Sequence, residues 1–364
     1  MAEQKIRVGV IGTGFGTIVH IPGYQSCPDT EVVAVCSARR ERAEEAAARF
    51  GVPHAFTDYR EMVRMPDLDV VSITTPPYEH HPMTMAALEA GKHVFCEKPM
   101  ALNAGECQEM LAKAEEKGLV HMITHEFRFT PQRVYMARLI ADGFIGKLRH
   151  ANISLYASSR GGSLANPVYS WSAQRRKGGG MLMALGSHYI DALRWWFGDY
   201  DGVFGLLFTH VPERRDPSDE SKTIMADADD AFTFQATLKN GGWASMSASM
   251  AAPFGPGARI ELYGTEGTLF APQQGFNPSP HGKLFGARVG EKELRELPIP
   301  AEYRPFEDDR DDRLVPFRLQ VELLVKAIRE KKSVPPTFYD GLKVQEVLDG
   351  IFHSNDTGEL VRIL

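Results

Sequence analysis

The sequence predicts an α/β protein in two parts: a doubly wound parallel sheet, then a second, largely antiparallel sheet. Three observations carry this. Apolar strand-like runs alternate with helix-forming runs in the N-terminal part, a βαβ order that demands a parallel sheet with helices on both faces. Glycines follow the first strand directly, at Gly12 and Gly14. From about Lys147 the texture changes to a series of strand-like runs.

In chain order, Ile6–Ile11 reads as a buried strand, Glu31–Cys36 as a second and Val70–Thr74 as a later one. Between them Arg40–Phe50 is rich in the helix formers Ala, Glu and Arg and stops at Gly51, while Thr84–Ala90 reads helical and stops at Gly91. The later strands are Ala151–Tyr156, Val203–Thr209, Ala231–Leu238, Trp243–Ser249 and Arg259–Tyr263. Asn240-Gly241 is the turn dipeptide expected between two paired strands, and Gly264-Thr265-Glu266-Gly267 supplies another connection. Ala271–Gly286 reads as a long loop, and Pro316–Lys331 and Gly341–Phe352 as closing helices.

With 364 residues, 43% hydrophobic and 24% charged, the chain is long enough for two domains with well-filled cores. A net charge of −6 with interleaved signs offers no broad basic surface, so neither nucleic acid nor anionic lipid is an expected partner. Met1-Ala2-Glu3-Gln4-Lys5 lacks the apolar core of a secretory signal, and no apolar run approaches a membrane span. Cys27, Cys36, Cys96 and Cys107 are dispersed without C-x-x-C spacing, which fits reduced thiols in a cytoplasmic protein.

Gly12-Thr13-Gly14, with Phe15 and Gly16, lies between the first strand and a helical segment, where backbone amides and a helix start can face a pyrophosphate. A strict G-x-G-x-x-G would put its third glycine at Thr17; here it is one place earlier, at Gly16. The alternative is a plain strand-to-helix turn. At the end of the second strand NAD-preferring folds place an acid against the ribose, but Ser37 is followed by Ala38-Arg39-Arg40. A hydroxyl with Arg39 and Arg40 suits the extra phosphate of NADP, the preferred cofactor over NAD; otherwise these arginines form the solvated first turn of the next helix.

Thr75-Pro76-Pro77-Tyr78-Glu79-His80 follows the next strand to the ligand-binding edge of such a sheet, so Thr75, Pro76 and His80 are cofactor candidates. His80-His81, and His121 with His125, lack the carboxylate or cysteine pattern that completes a metal site, so no metal is expected. Gly91-Lys92-His93-Val94-Phe95-Cys96-Glu97-Lys98-Pro99 ends an apolar strand with a lysine between a carboxylate and a proline. Lys98 is a candidate acid/base where a cofactor's reacting end would sit.

Together, Gly12-x-Gly14, Thr75-Pro76-x-x-x-His80 and Gly91 through Glu97-Lys98-Pro99 resemble the Gfo/Idh/MocA oxidoreductase family. The resemblance runs on through Arg128-Phe129-x-Pro131, Gly143-x-Ile145-Gly146, Gly178-Gly179-Gly180 and Gly186-Ser187-His188-x-x-Asp191. It implies an N-terminal Rossmann domain, placed at residues 1-124, and an α/β domain with a large, mainly antiparallel open sheet at 125-364. The second domain would bind substrate and carry homo-oligomer contacts, in a dimer or a tetramer. The resemblance makes Lys98 the catalytic lysine, held beside Glu97 with a cis Lys98-Pro99 bond. A lysine partly desolvated beside the cationic nicotinamide has its ammonium form disfavoured, so it can take a proton from a substrate hydroxyl as hydride leaves, or return one during reduction.

His188 and Asp191 lie three apart in an expected helix beginning near Met181, on one face. The resemblance makes His188 a second proton-transfer or substrate-hydroxyl group, with Asp191 orienting it or binding substrate; the alternative is a pair that satisfies buried polar groups under Trp195 and Trp196. Many dehydrogenase members carry an aspartate four residues before this histidine, and here that position is Ala184. Arg128, Tyr156, Trp171 and Arg175 are the further substrate-facing candidates, with packing or surface as the alternative for each. Ser187 is not read as a nucleophile, because Gly-x-Ser-x-Gly is incomplete.

The expected activity is an NADP(H)- or NAD(H)-dependent dehydrogenase or reductase acting on a secondary hydroxyl or ketone of a sugar, sugar derivative or cyclitol. Two alternatives stand beside it: a redox-neutral glycosidase or lyase with a tightly held nicotinamide, made worth weighing by Ala184, and a noncatalytic cofactor-binding sensor.

Overall fold

The computed structural model describes residues 4–157 and 167–363, so part of the N-terminal reading, Met1–Glu3, lies outside the described residues. The N-terminal part alternates as expected: β1 (Ile6–Ile11), α1 (Ile21–Ser26), β2 (Thr30–Cys36), α2 (Arg40–Phe50), β3 (His54–Phe56), α3 (Tyr59–Met62), β4 (Val70–Ile73), α4 (His80–Glu89), β5 (His93–Glu97), α5 (Ala104–Glu116) and β6 (His121–Thr124). All six strands pair in parallel in the order β3-β2-β1-β4-β5-β6. Strand order reverses between β1 and β4, and dinucleotides bind outside the carboxyl ends at such a switch point. Apart from the exposed edge strand β3, the strands are buried on both faces, so they read as continuous apolar runs: Val8, Val10, Val32 and Phe95 enter one core, and Ile11, Ala34, Val71 and Cys96 the other.

The second part opens with α6 (Pro131–Ala141), β7 (Leu148–Tyr156), α7 (Ser187–Phe197) and β8 (Tyr200–Phe208), then a small hairpin, β9 (Glu213–Arg215) with β10 (Thr223–Met225). It continues through β11 (Ala231–Leu238), β12 (Trp243–Ser249), β13 (Gly257–Gly264), β14 (Gly267–Gln273), β15 (Phe285–Arg288) and β16 (Arg295–Glu296). The chain closes with α8 (Leu314–Glu330), α9 (Phe338–Thr357) and β17 (Val361–Arg362). The nine-stranded sheet runs β16-β15-β14-β13-β7-β12-β11-β8-β17. Its pairs are antiparallel except β7 with β12. Asn240-Gly241 lies in the turn joining β11 to β12, as its sequence demands.

Period-two alternation sorts this sheet into two faces. Strand β7 buries Ala151, Ile153 and Leu155, while His150, Asn152, Ser154 and Tyr156 project to the other side. On the buried face Gly186 meets the Phe232 ring, and the Ser354 Oγ of α9 accepts the Gly205 N–H at 3.0 Å. On the open face His150 stacks on Trp243 and Tyr263, and Leu206 and Phe208 are exposed.

The chain divides into two compact units, Met1–Phe129 with Asp308–Gln345, and Thr130–Glu307 with Glu346–Leu364. This differs from a single boundary after residue 124, because residues 308–345 return to the first unit. The reason is packing. Phe317, Val321 and Leu324 of α8 share a core with Val8, Val10 and Tyr24, and Phe338 and Leu342 share one with Met100 and Ile123. An amphipathic stripe announces a helix, but nothing in its period says which sheet it covers.

Gly23 of α1 lies directly against Phe317, and a Cβ there would come within 2.7 Å of the ring's Cε1. Gly23→Ala is therefore expected to cost about 1–3 kcal/mol by overpacking. In urea denaturation this appears as a lower midpoint at constant slope, and an unchanged midpoint would contradict a tight α1–α8 contact.

Candidate active site

The glycine loop is shaped by what lies behind it. Gly12 ends β1 at φ +107°, and a Cβ there would stand 2.5 Å from Thr74 Oγ1 and 2.9 Å from the Thr74 carbonyl. That hydroxyl donates to the carbonyls of Ile11 at 2.9 Å and Gly12 at 3.0 Å, so the end of β4 holds the loop. At Gly14 the place a Cβ would take has no protein atom within 4 Å, which leaves the backbone open to close approach by a diphosphate. The third glycine role, close helix–strand packing, falls to Gly16, whose Cβ would lie 3.1 Å from Val10 Cγ1. The following helix starts with a wide π-turn over Gly16–His20, which moves the close contact one residue forward of the strict spacing. The loop thus fits a dinucleotide.

At the end of β2, Thr13 Oγ1 donates to Ser37 Oγ at 3.2 Å. Arg39 is exposed beside it, whereas Arg40 pairs along its own helix with Glu44 at 3.5 Å. Of the two arginines expected at a phosphate, Arg40 therefore sits as a solvated first-turn residue. Phe15 lies with its ring 4.9 Å from the Arg313 guanidinium and edge-on to His20.

The lysine turn is held from two sides. The Lys98-Pro99 bond is cis. His80 is fully buried, with Nδ1 2.9 Å from the Pro99 carbonyl and Nε2 2.7 Å from the Thr75 carbonyl. Both ring nitrogens are used internally, so His80 ties the Thr75-Pro76 loop to the lysine turn instead of presenting an edge to a cofactor. Burial pushes its pKa down, opposed by those carbonyls and by Glu97. The Thr75 hydroxyl likewise turns inward, to Met83 Sδ at 3.4 Å.

Glu97 is the second brace. Its Oε1 is 2.9 Å from His20 Nε2, its Oε2 accepts the Lys98 backbone N–H at 3.2 Å, and His20 Nδ1 reaches Ser72 Oγ at 2.8 Å. Burial pushes the Glu97 carboxyl up, but the hydrogen bond and charge of His20, with Lys98 and His80, outweigh it and hold it below the usual range. Glu97 is thus an internal support of the turn. Sequence reasoning passed over His20; its signal was a histidine in an otherwise apolar first helix, Ile18 to Ile21.

Glu97 pairs with Thr124 across β5 and β6, and the chain then leads to Glu126, also missed. Burial pushes the Glu126 carboxyl up to about 8, reinforced by the Glu97 charge and opposed by Lys98 and Arg313. Arg313 holds Asp311 through two nitrogens at 2.8 and 2.7 Å. Arg128 is buried and donates to Asp340 Oδ1 at 3.1 Å, while Asp340 Oδ2 accepts the Thr337 N–H at 2.7 Å. That ties Arg128 to the start of α9.

In the second unit His188 and Asp191 are both buried on α7, three apart on one face. The helix opens with a π-turn, Leu182–Gly186, that contains Ala184, and Asp229 Oδ2 accepts the Leu182 N–H at 2.8 Å. Burial pushes Asp229 up to about 7. Ser187 donates to the Met183 carbonyl at 2.7 Å. Tyr156 lies on the sheet face opposite α7 and donates to Ser247 Oγ at 2.6 Å, so it is not grouped with His188. Arg175 makes a two-pronged bond to Asp356 at 3.1 and 2.8 Å and lies over Phe352, so it too is internally engaged. Trp171 is half-exposed in a short turn, Trp171–Ala173. Among the described residues no group of three or more His, Cys, Asp or Glu is arranged to hold a metal, and no helix is long and apolar enough to cross a membrane.

This strand order, a glycine turn packed closely against Thr74 at Gly12 and Gly16, and a braced lysine at the carboxyl edge define a dinucleotide-binding oxidoreductase. The family model of an oxidoreductase family with an NAD-binding Rossmann fold matches residues 6–125, and that of the GFO/IDH/MocA C-terminal domain matches residues 134–270. The chain belongs to the Gfo/Idh/MocA oxidoreductase family. It is 32% identical to an uncharacterized oxidoreductase of Synechocystis sp., covering 95% of this chain and 93% of that one. It is 30% identical to the levoglucosan dehydrogenase of Pseudarthrobacter phenanthrenivorans, covering 96% of each. Among solved structures, levoglucosan dehydrogenase in complex with NADH and L-sorbose superposes with TM-score 0.87 over 100% of both chains at 27% identity.

His20→Leu would leave the Glu97 carboxylate buried without its hydrogen-bond partner, and is expected to cost about 1–3 kcal/mol at neutral pH. Because Glu97 has a lowered pKa in the folded chain, its stabilisation is complete above the unfolded carboxylate range and fades as pH falls through that range. The gap between native and variant in denaturant midpoint should therefore narrow on acidification; a gap independent of pH would rule out this pairing.

Proposed function

We propose that the protein transfers a hydride between NADP(H) or NAD(H) and a secondary hydroxyl or ketone of a sugar, sugar derivative or cyclitol. The observation that carries this reading is Lys98, half-buried at the carboxyl end of β5 in a turn braced by Glu97 and His80. Relatives named D-glucoside 3-dehydrogenase, 31% identical over 54% of this chain, and myo-inositol 2-dehydrogenase, 27% identical over 73%, support the substrate class.

The nicotinamide, when bound, supplies the hydride acceptor or donor. Gly12 to Gly16 would hold its diphosphate and Ser37 with Arg39 its adenosine ribose. Lys98 takes the proton from the substrate hydroxyl in oxidation and returns it in reduction. His188 offers a second proton-transfer or substrate-hydroxyl group, with Asp191 orienting it or binding substrate, a pairing supported by their shared helix face. Trp171 offers a flat apolar face to a sugar ring. A cytoplasmic location agrees with four buried free thiols, and a homo-oligomer agrees with the open sheet face carrying Trp243, Leu206 and Phe208.

Lys98→Met is expected to keep cofactor binding and lower turnover on a panel of sugars and cyclitols by about 10²- to 10⁴-fold. Full turnover in that variant would remove the mechanism. NADP acceptance rests on Ser37 and Arg39, without an acid at the ribose edge. Arg39→Ala should lower the kcat/KM ratio of NADP over NAD by about 10-fold, the scale of one charge-assisted phosphate contact, and an unmoved ratio would point to NAD.

A further inference from the structure

We infer that Glu126 is a proton-relay residue that acts through Lys98: its carboxylate takes the proton that the lysine gains in substrate oxidation. The inference rests on the proposed role of Lys98 and deepens it. The step is a proton transfer alone: an Nζ–H bond of Lys98 breaks, an O–H bond on Glu126 forms, and no electrons change hands. In the reductive direction the same proton runs backwards.

Placement carries the argument. β5 and β6 are adjacent parallel strands with Glu97 opposite Thr124, so Lys98 and the segment opening at His125 leave neighbouring strand ends on one edge. Glu126 lies in a single turn, Glu126–Phe129, covered by the start of α8, and is 2% exposed. The charged groups that act on it electrostatically are Glu97 and Lys98 from the end of β5 and Arg313 from the start of α8. Arg313 is shared with Asp311, and on the turn itself Arg128 is directed to Asp340. His125 precedes it in the chain.

The two carboxyl groups of this edge sit in opposite environments. Glu97 has His20 at 2.9 Å and is locked as a carboxylate. Glu126 lies within the field of that fixed negative charge, and its burial raises its pKa to about 8. Carboxyl groups whose environments push their pKa values apart divide acid/base work between them. Glu97 supports; Glu126 exchanges. A buried glutamate that titrates near neutrality is costly where packing alone is needed, since glutamine would fill the same space without the charge.

The test compares the native protein with Glu126→Gln, Glu126→Asp and Lys98→Met. In the cofactor-free protein, infrared difference spectra across pH should show a carboxylic C=O band that vanishes with a midpoint near 8 and is missing in E126Q. In turnover, the ratio of oxidation rates at about pH 9 and about pH 6.5 should fall by about 10²-fold in E126Q, whereas E126D keeps the rising limb. NADH binding, followed by fluorescence, should be unchanged, which shows that the pocket is intact. A loss in E126Q that is uniform with pH, an unaltered pH profile, or the absence of the titrating band overturns the relay. Should E126Q not fold, the native band and the limb in E126D decide the matter alone: absence of either overturns it. If Lys98→Met keeps its turnover, the proposed function fails on its own account; if it loses turnover while E126Q parallels the native profile, only the relay fails.

Discussion

Glu97 holds its carboxylate out of water at the end of β5, and much of the surrounding edge follows from keeping it ionised there. A buried carboxylate is tolerable only with a partner, and His20 supplies one through Nε2 at 2.9 Å while Ser72 steadies its other nitrogen. The second carboxylate oxygen takes the Lys98 backbone N–H. One hydrogen-bonded side chain thereby connects the first helix, β4 and β5 at the place where the lysine leaves the sheet. His80 repeats the device from the other side with two carbonyls. The backbone of the turn is held at several points, which fixes where the lysine side chain departs from it.

The cofactor edge obeys a different constraint, that of backbone approach. Thr74 stands where any side chain at Gly12 would go, and the same hydroxyl lies close to Gly16, so β1, β4 and the first helix meet through atoms that leave no room for a Cβ. The π-turns that open this helix and the one carrying His188 have the same consequence, a local widening that re-aims the residues beyond it. Charge braces the lysine; the absence of side chains shapes the cradle.

Most of the first sheet was legible, because a doubly covered strand must be apolar throughout and a glycine must stand wherever the chain turns tightly under a neighbour. Ile6–Ile11 and Arg40–Phe50 coincide with the expected spans. The helix at α4 begins at His80, four residues earlier than expected, since its first turn carries histidines and a proline that dilute the apolar period. Glu126 was not legible, a single polar residue in an ordinary setting, and His20, although it stands out in an apolar run, gains its meaning only from a partner on another strand. The internal partners of Arg128 and Arg175 were not legible either. Guanidinium groups suit anions in general, and these two found Asp340 and Asp356 within the chain.

The sequence by itself determined the α/β class with its two sheets, most of the longer strands and helices, the lysine between carboxylate and proline, and the family, because these depend on local period, backbone freedom and contiguous motifs. Only the tertiary structure decided that α8 returns to the first unit, that Tyr156 lies on the sheet face opposite α7, and which buried carboxyl group is locked and which is raised. Those outcomes turn on distances between residues far apart in the chain. Burial multiplies the effect of each such neighbour on charge, and no periodicity records it.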